Sequence, residues 1–156
     1  MKYQITIIII LFITCSCSIQ RRTHVKGYMS LTKFRGDTSA YIKTNFIDHK
    51  ERYLGKPLQV FLNDWDLPIK SYLIGPGANL AIDYISISAN TNNEINQMLG
   101  DDKKYKMVTA IWKTSLKDVE LNKVIKQSQL AWTDEAKAYF GKQIITDLKL
   151  DDYLRK

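Results

Sequence analysis

Apolar positions change their spacing along this chain. A solid apolar block opens it, a helical rhythm follows a basic stretch, and short β-branched and aromatic runs come next. Asp37-Thr38-Ser39 supplies helix-start chemistry. Ile42, Phe46, His49 and Tyr53 then recur at helical intervals, with Ile47 and Leu54 widening the stripe. Gly55 suits a helix stop, and Pro57 suits the first turn of a new helix. Leu58, Phe61, Leu62 and Trp65 continue at helical spacing up to Leu67-Pro68. The pattern predicts one helix over 38–54, a tight turn and a second helix over 57–65.

Beyond Pro68 the rhythm shortens. Ile69 to Ile74 reads as a strand closed by Gly75-Pro76-Gly77. Leu80 to Ala89 reads as its hairpin partner. Its apolar residues change faces near Asp83, which predicts a bulge or a strand covered on both sides. Thr91 to Leu99 carries Ile95, Met98 and Leu99 at helical spacing. Tyr105 to Thr114 is apolar on both faces, as a central strand would be. Ser115 with Asp118 resembles a capping box ahead of a helix to Ser128. A last helix starts at Thr133, with a stripe of Ala136, Tyr139, Phe140 and Ile144 supported by Leu148. The charged tail from Asp151 is expected to fray. Such an order specifies an α+β fold, an antiparallel sheet of three to four strands packed against N- and C-terminal helices.

The opening block has a different meaning. Lys2 precedes an apolar run from Ile5 to Thr14, about the length of a secretory signal core. A membrane-spanning helix needs about 20 apolar residues. Thr14-Cys15-Ser16-Cys17-Ser18 follows directly. This resembles the lipobox of bacterial lipoproteins, in which an apolar residue and two small ones precede the cysteine that receives diacylglycerol. Cys17 fits better than Cys15, because Ser16 is small whereas Ile13 and Thr14 are bulky. The usual Leu is missing upstream of Cys17. Ordinary signal cleavage after Ser18, an uncleaved anchor and a buried core strand are the alternatives.

The expected organisation is a signal over residues 1–16, a flexible tether over 17–36 and one globular domain over 37–156. Loss of 16 residues from 156 leaves a chain long enough to bury its own core. Cys15 and Cys17 are the only cysteines, so the mature domain has no disulfide framework and no cysteine nucleophile. The net charge is +7, of which Lys2 leaves with the signal. Arg21, Arg22, Lys26, Lys33 and Arg35 occur between Gln20 and Arg35 without an acidic residue. They read as solvation of a tether, or as attraction to anionic headgroups. An exported chain seldom meets nucleic acid, so none is expected as a partner.

Catalytic chemistry is sparse. His24 lies in the tether, and His49, on the apolar stripe, reads as a packed residue. Zinc needs three or four ligands and calcium a richer oxygen set than Asp64 and Asp66 provide, so no metal or cofactor is expected. Asp83, inside an apolar strand, must be paired, neutralised or at an edge. Gly75-Pro76-Gly77 is too short for a phosphate loop, and no serine stands in a nucleophile elbow. Asp101-Asp102 reads as a solvated pair balanced by Lys103 and Lys104. The tryptophans and tyrosines read as core rather than as a sugar platform.

Tyr53-Leu54-Gly55-Lys56-Pro57 followed by Pro68-Ile69-Lys70 is similar to segments of small secreted bacterial lipoproteins. The resemblance implies no activity. The expectation is a cell-envelope lipoprotein, anchored through Cys17 to a bacterial outer membrane, that binds an envelope protein or glycan without catalysis. A secreted or periplasmic enzyme built from Asp83, Asp64 and His49 is the alternative. An inhibitor-type partner protein, marked by an exposed apolar patch, is another.

Overall fold

A computed structural model describes residues 27–76, 81–101, 103–116 and 119–153. The expected leader, Cys15, Cys17 and His24 lie outside them. The fold is α+β. Strands β1 (Ser71–Pro76), β2 (Ile82–Ser88), β3 (Tyr105–Leu116) and β4 (Ile145–Tyr153) form one antiparallel sheet in chain order. Helices α1 (Thr38–Ile42) and α2 (Leu58–Asp64) precede it, α3 (Asn92–Gly100) joins β2 to β3, and α4 (Val119–Ser128) and α5 (Asp134–Phe140) join β3 to β4.

Register sorts the side chains. Tyr72 faces Ile87, Ile85 faces Ala110, and Val108 faces Leu150. This face carries the main core together with α1, α2, α4 and α5. On the reverse face Ser86 pairs with Thr109, their hydroxyls 2.7 Å apart, and Met107 pairs with Asp151. There Ile95 of α3 packs with Tyr105 and Met107 in a separate small cluster. The register shifts between Ile82 and Tyr84, so the expected bulge is present at Asp83.

Helix starts follow the sequence. The Asp37 carboxylate accepts from the N–H groups of Ser39 and Ala40, both at 3.0 Å. Thr91 and Glu94 form a full capping box on α3, and Thr133 caps α5. The long first helix is instead divided. After α1 the backbone widens into a π segment, Lys43–Ile47, closed by Asp48 N–H on the Lys43 carbonyl at 2.9 Å. The extra residue in that turn shifts the phase. Ile42, Phe46 and Tyr53 stay buried, whereas His49 is exposed, contrary to its expected packing. Gly55, with φ of +74°, makes the turn to α2 in a conformation most side chains avoid.

Packing begins inside the stretch read as a tether. Tyr28, Leu31 and Phe34 lie against the core. Asn45, buried on the π segment, accepts from the Met29 N–H at 2.9 Å and donates to its carbonyl at 2.8 Å. A buried amide bonded at both ends satisfies its own polar groups and a strip of backbone together.

The C-terminal region differs most from expectation. Helix α5 stops at Gly141, and β4 replaces the rest of the stripe. Ile144, expected on that stripe, is exposed, while Ile145 and Leu148 are fully buried in the strand. Residues 147–151 alternate charged and apolar, a strand period that the longer helical spacing concealed. Ser115 belongs to β3 rather than to a capping box.

Both sheet edges are partly sealed by borrowed backbone. Pro57 bridges Ile144, and Gly55 and Lys56 exchange hydrogen bonds with Ile145 at 2.8 and 3.0 Å. On the opposite side Ala131 bridges Ser71, and Tyr72 donates to the Leu130 carbonyl at 2.9 Å. Gln129 and Leu130 both adopt positive φ to bring this segment alongside β1. Each costs about 1–2 kcal/mol.

Candidate functional site

Where β2 ends and β3 begins, a half-open cavity of about 350 Å³ lies beside α1. Ile42, Trp65, Ile87 and Val108 supply apolar walls. Thr38 and Ser39, from the first turn of α1, bring hydroxyls, and Lys104 and Lys106 bring cations. Lys106 pairs with Asp152 at 3.3 Å, and Lys103 takes Asp101 at 3.0 Å. Lys104, expected to help balance the acidic pair, lines the cavity and pairs with no carboxylate among the described residues, and Asp102 of that pair lies outside them. The described lining holds no carboxylate and no imidazole. Such a surface can hold an apolar body and donate hydrogen bonds, but it offers no acid–base pair.

Trp65 is fixed from behind. At the end of α2 the chain turns extended, and the indole is buried with ring centroids 5.1 Å from Phe46 and 5.2 Å from Phe61. The carboxylates on either side of it take phenols. Asp64 accepts from Tyr53 at 3.1 Å, and Asp66 accepts from both Tyr41 and Tyr28. Burial raises the Tyr41 pKa, and the hydrogen bond to Asp66 raises it further. Tyr53 is raised in the same way, by burial first and then by the nearby Asp64 charge. Tyr72, buried against Ser128, is raised by burial while the Ser128 bond opposes the shift. Tyr41 and Tyr53 act as held, neutral donors, and Tyr72 is a buried neutral phenol sharing a hydrogen bond with Ser128.

The candidate acid–base residues do not share a site. His49 lies exposed after the π segment, Asp64 serves Tyr53, and Asp83 takes the Ser115 hydroxyl beside the bulge. None of the three lines a described cavity. Among the described residues no three His, Cys, Asp or Glu groups are placed to hold a metal ion. No helix among them is long and apolar enough to cross a membrane. Trp65 and Trp112 are core residues, and Trp112 stacks on Phe140 at 6.3 Å. Trp132, with Leu62, Leu67, Ile69 and Lys137, lines a second, shallower hollow of about 180 Å³ that Trp65 also reaches. The large apolar side chains most exposed in the described chain are Val119 and Ile144, on separate elements.

No family model, curated protein or solved structure matches the chain.

Proposed function

We propose that the protein is an exported cell-envelope lipoprotein, anchored through Cys17, whose folded body is a non-catalytic binding or accessory module. The observation that carries the address is the cysteine-containing segment Thr14 to Ser18, directly after the apolar run. The membrane is one partner, through the lipid, at the outer membrane of a bacterial envelope. An envelope protein or glycan is the other. Support for binding over catalysis comes from the cavity lining, which has apolar walls, hydroxyls and lysines and, among the described residues, no acid–base pair. The scattered placement of His49, Asp64 and Asp83 argues in the same direction.

The test compares intact mass and detergent partition of native protein and Cys17→Ala. Diacylated native protein and an unmodified variant are expected. A variant that stays acylated transfers the anchor to Cys15, and native protein without lipid replaces the anchor with ordinary secretion. The binding half is tested separately. The purified protein should turn over no ester, glycoside or peptide substrate, and as bait it should enrich an envelope component.

A further inference from the structure

We propose that the cavity beside α1 binds a small molecule with a compact apolar body and a single anionic head, such as an aryl or short-chain carboxylate. This rests on reading the folded body as a binding module, and it is independent of the lipid anchor. The walls decide the body. Ile42, Ile87 and Val108 present aliphatic surface around the Trp65 indole, and all four are buried residues of the main core. Their positions are preset. Trp65 packs in a triangle with the Phe46 and Phe61 rings, and Ile87 and Val108 are register partners on neighbouring central strands. A ligand therefore meets a formed surface and loses little affinity to ordering it.

The rim decides the head. Lys104 and Lys106 stand at the start of β3, with Thr38 and Ser39 on the α1 side. Among the described residues no carboxylate lines the cavity to repel an anion or attract a cation. Asp66, the acid following Trp65, accepts two phenols. Lys106 already shares Asp152, so Lys104 is the cation assigned to the ligand head. At about 350 Å³ the space falls at the lower end of the range for small-molecule sites. That favours one ring or one short chain over a diacyl lipid or an oligosaccharide.

The experiment is an NMR titration of the full-length protein with 4-phenylbutyrate, and with its neutral amide as control. The acid should shift the Trp65 indole N–H and the backbone amides of Lys104 and Ala89, and added salt should weaken it. Lys104→Gln should reduce affinity for the acid about fivefold, the worth of one exposed ion pair near 1 kcal/mol, and leave the amide unaffected. Ala89→Phe, which fills the cavity from the end of β2, should abolish binding while the circular dichroism spectrum is kept. Ser39→Phe, from the opposite wall, replaces it if that variant fails to fold. The proposal is overturned if acid and amide bind alike, if Lys104→Gln changes nothing, or if the shifts map away from Trp65. It is also overturned if neither probe binds while the protein still enriches an envelope partner; the binding reading then survives without this ligand class.

Discussion

On one side of the sheet Tyr72, Ile85, Val108 and Leu148 lie beneath four helices, in a core that continues through Phe46, Phe61 and Trp65. On the other side Met107 and Tyr105 pack with Ile95, Met98 and Leu99 of α3 together with Leu73, and Ser86 and Thr109 fill the next positions with a hydroxyl pair. The first face is held by volume and by aromatic edges, the second by one capped helix and small polar groups. Stability therefore concentrates on the helix-covered face. The cavity opens where the two clusters meet, taking Ile87 and Val108 from one and Met98 and Tyr105 from the other.

The comparison can be broken most directly by truncating one fully buried residue on each face. Phe61→Ala removes a ring packed on Phe46, Tyr53 and Trp65 and should cost about 3–5 kcal/mol in denaturant unfolding. Met107→Ala should fall at the low end of about 2–5 kcal/mol, because its smaller cluster can collapse inward. Equal losses would show that the faces are equivalent.

Alkali should probe the helix-covered face through its buried phenols. Tyr41 and Tyr53 have folded pKa values raised above the ordinary 10.0. Below pH 10 both phenols are protonated in the folded and unfolded chains, and their contribution is fully present. Above it the unfolded chain ionises first, so stability should fall by up to about 1.4 kcal/mol per phenol per pH unit. Thermal melts between pH 8 and 11 measure the slope, and Tyr41→Phe should reduce it.

Asn45→Ala should cost about 1–3 kcal/mol, because it removes the partner of the part-buried Met29 backbone groups. Hydrogen exchange should then rise first at Met29 to Phe34. The smallest expected effect lies on the reverse face. Thr91→Ala removes the α3 cap and should cost about 1 kcal/mol, with faster exchange confined to α3. Global loosening in that variant would mean that α3 supports the whole sheet.

Local signals were legible where one period or one cap decided the outcome. Asp37, the Gly55 turn, the α3 stripe and the change of faces at Asp83 all appear where the spacing placed them. Two competing periods hid β4, since Ala136, Tyr139, Phe140 and Ile144 continue a helical stripe into residues that alternate like a strand. Spacing also assumes one residue count per turn, so the π segment that exposes His49 left no trace in it. The buried Asn45 was a usable signal, because a polar residue inside an apolar stripe implies backbone docked upon it. The cavity had no such signal. Its walls come from α1, the end of α2, β2, α3 and β3, elements that no single spacing brings together.

The borrowed strands along the sheet flanks bear on how the molecule behaves in company. A naked flank invites another copy to add itself, and repetition of that step builds a filament. Here residues 130–132 occupy one flank at Ser71 and Tyr72, and residues 55–57 occupy the other near Ile145. The remaining length of β4 carries Asp147, Lys149, Asp151 and Asp152, whose charges oppose docking by an identical strand. Crowding many copies together should thus meet sides that are partly occupied already, which disfavours self-templated growth.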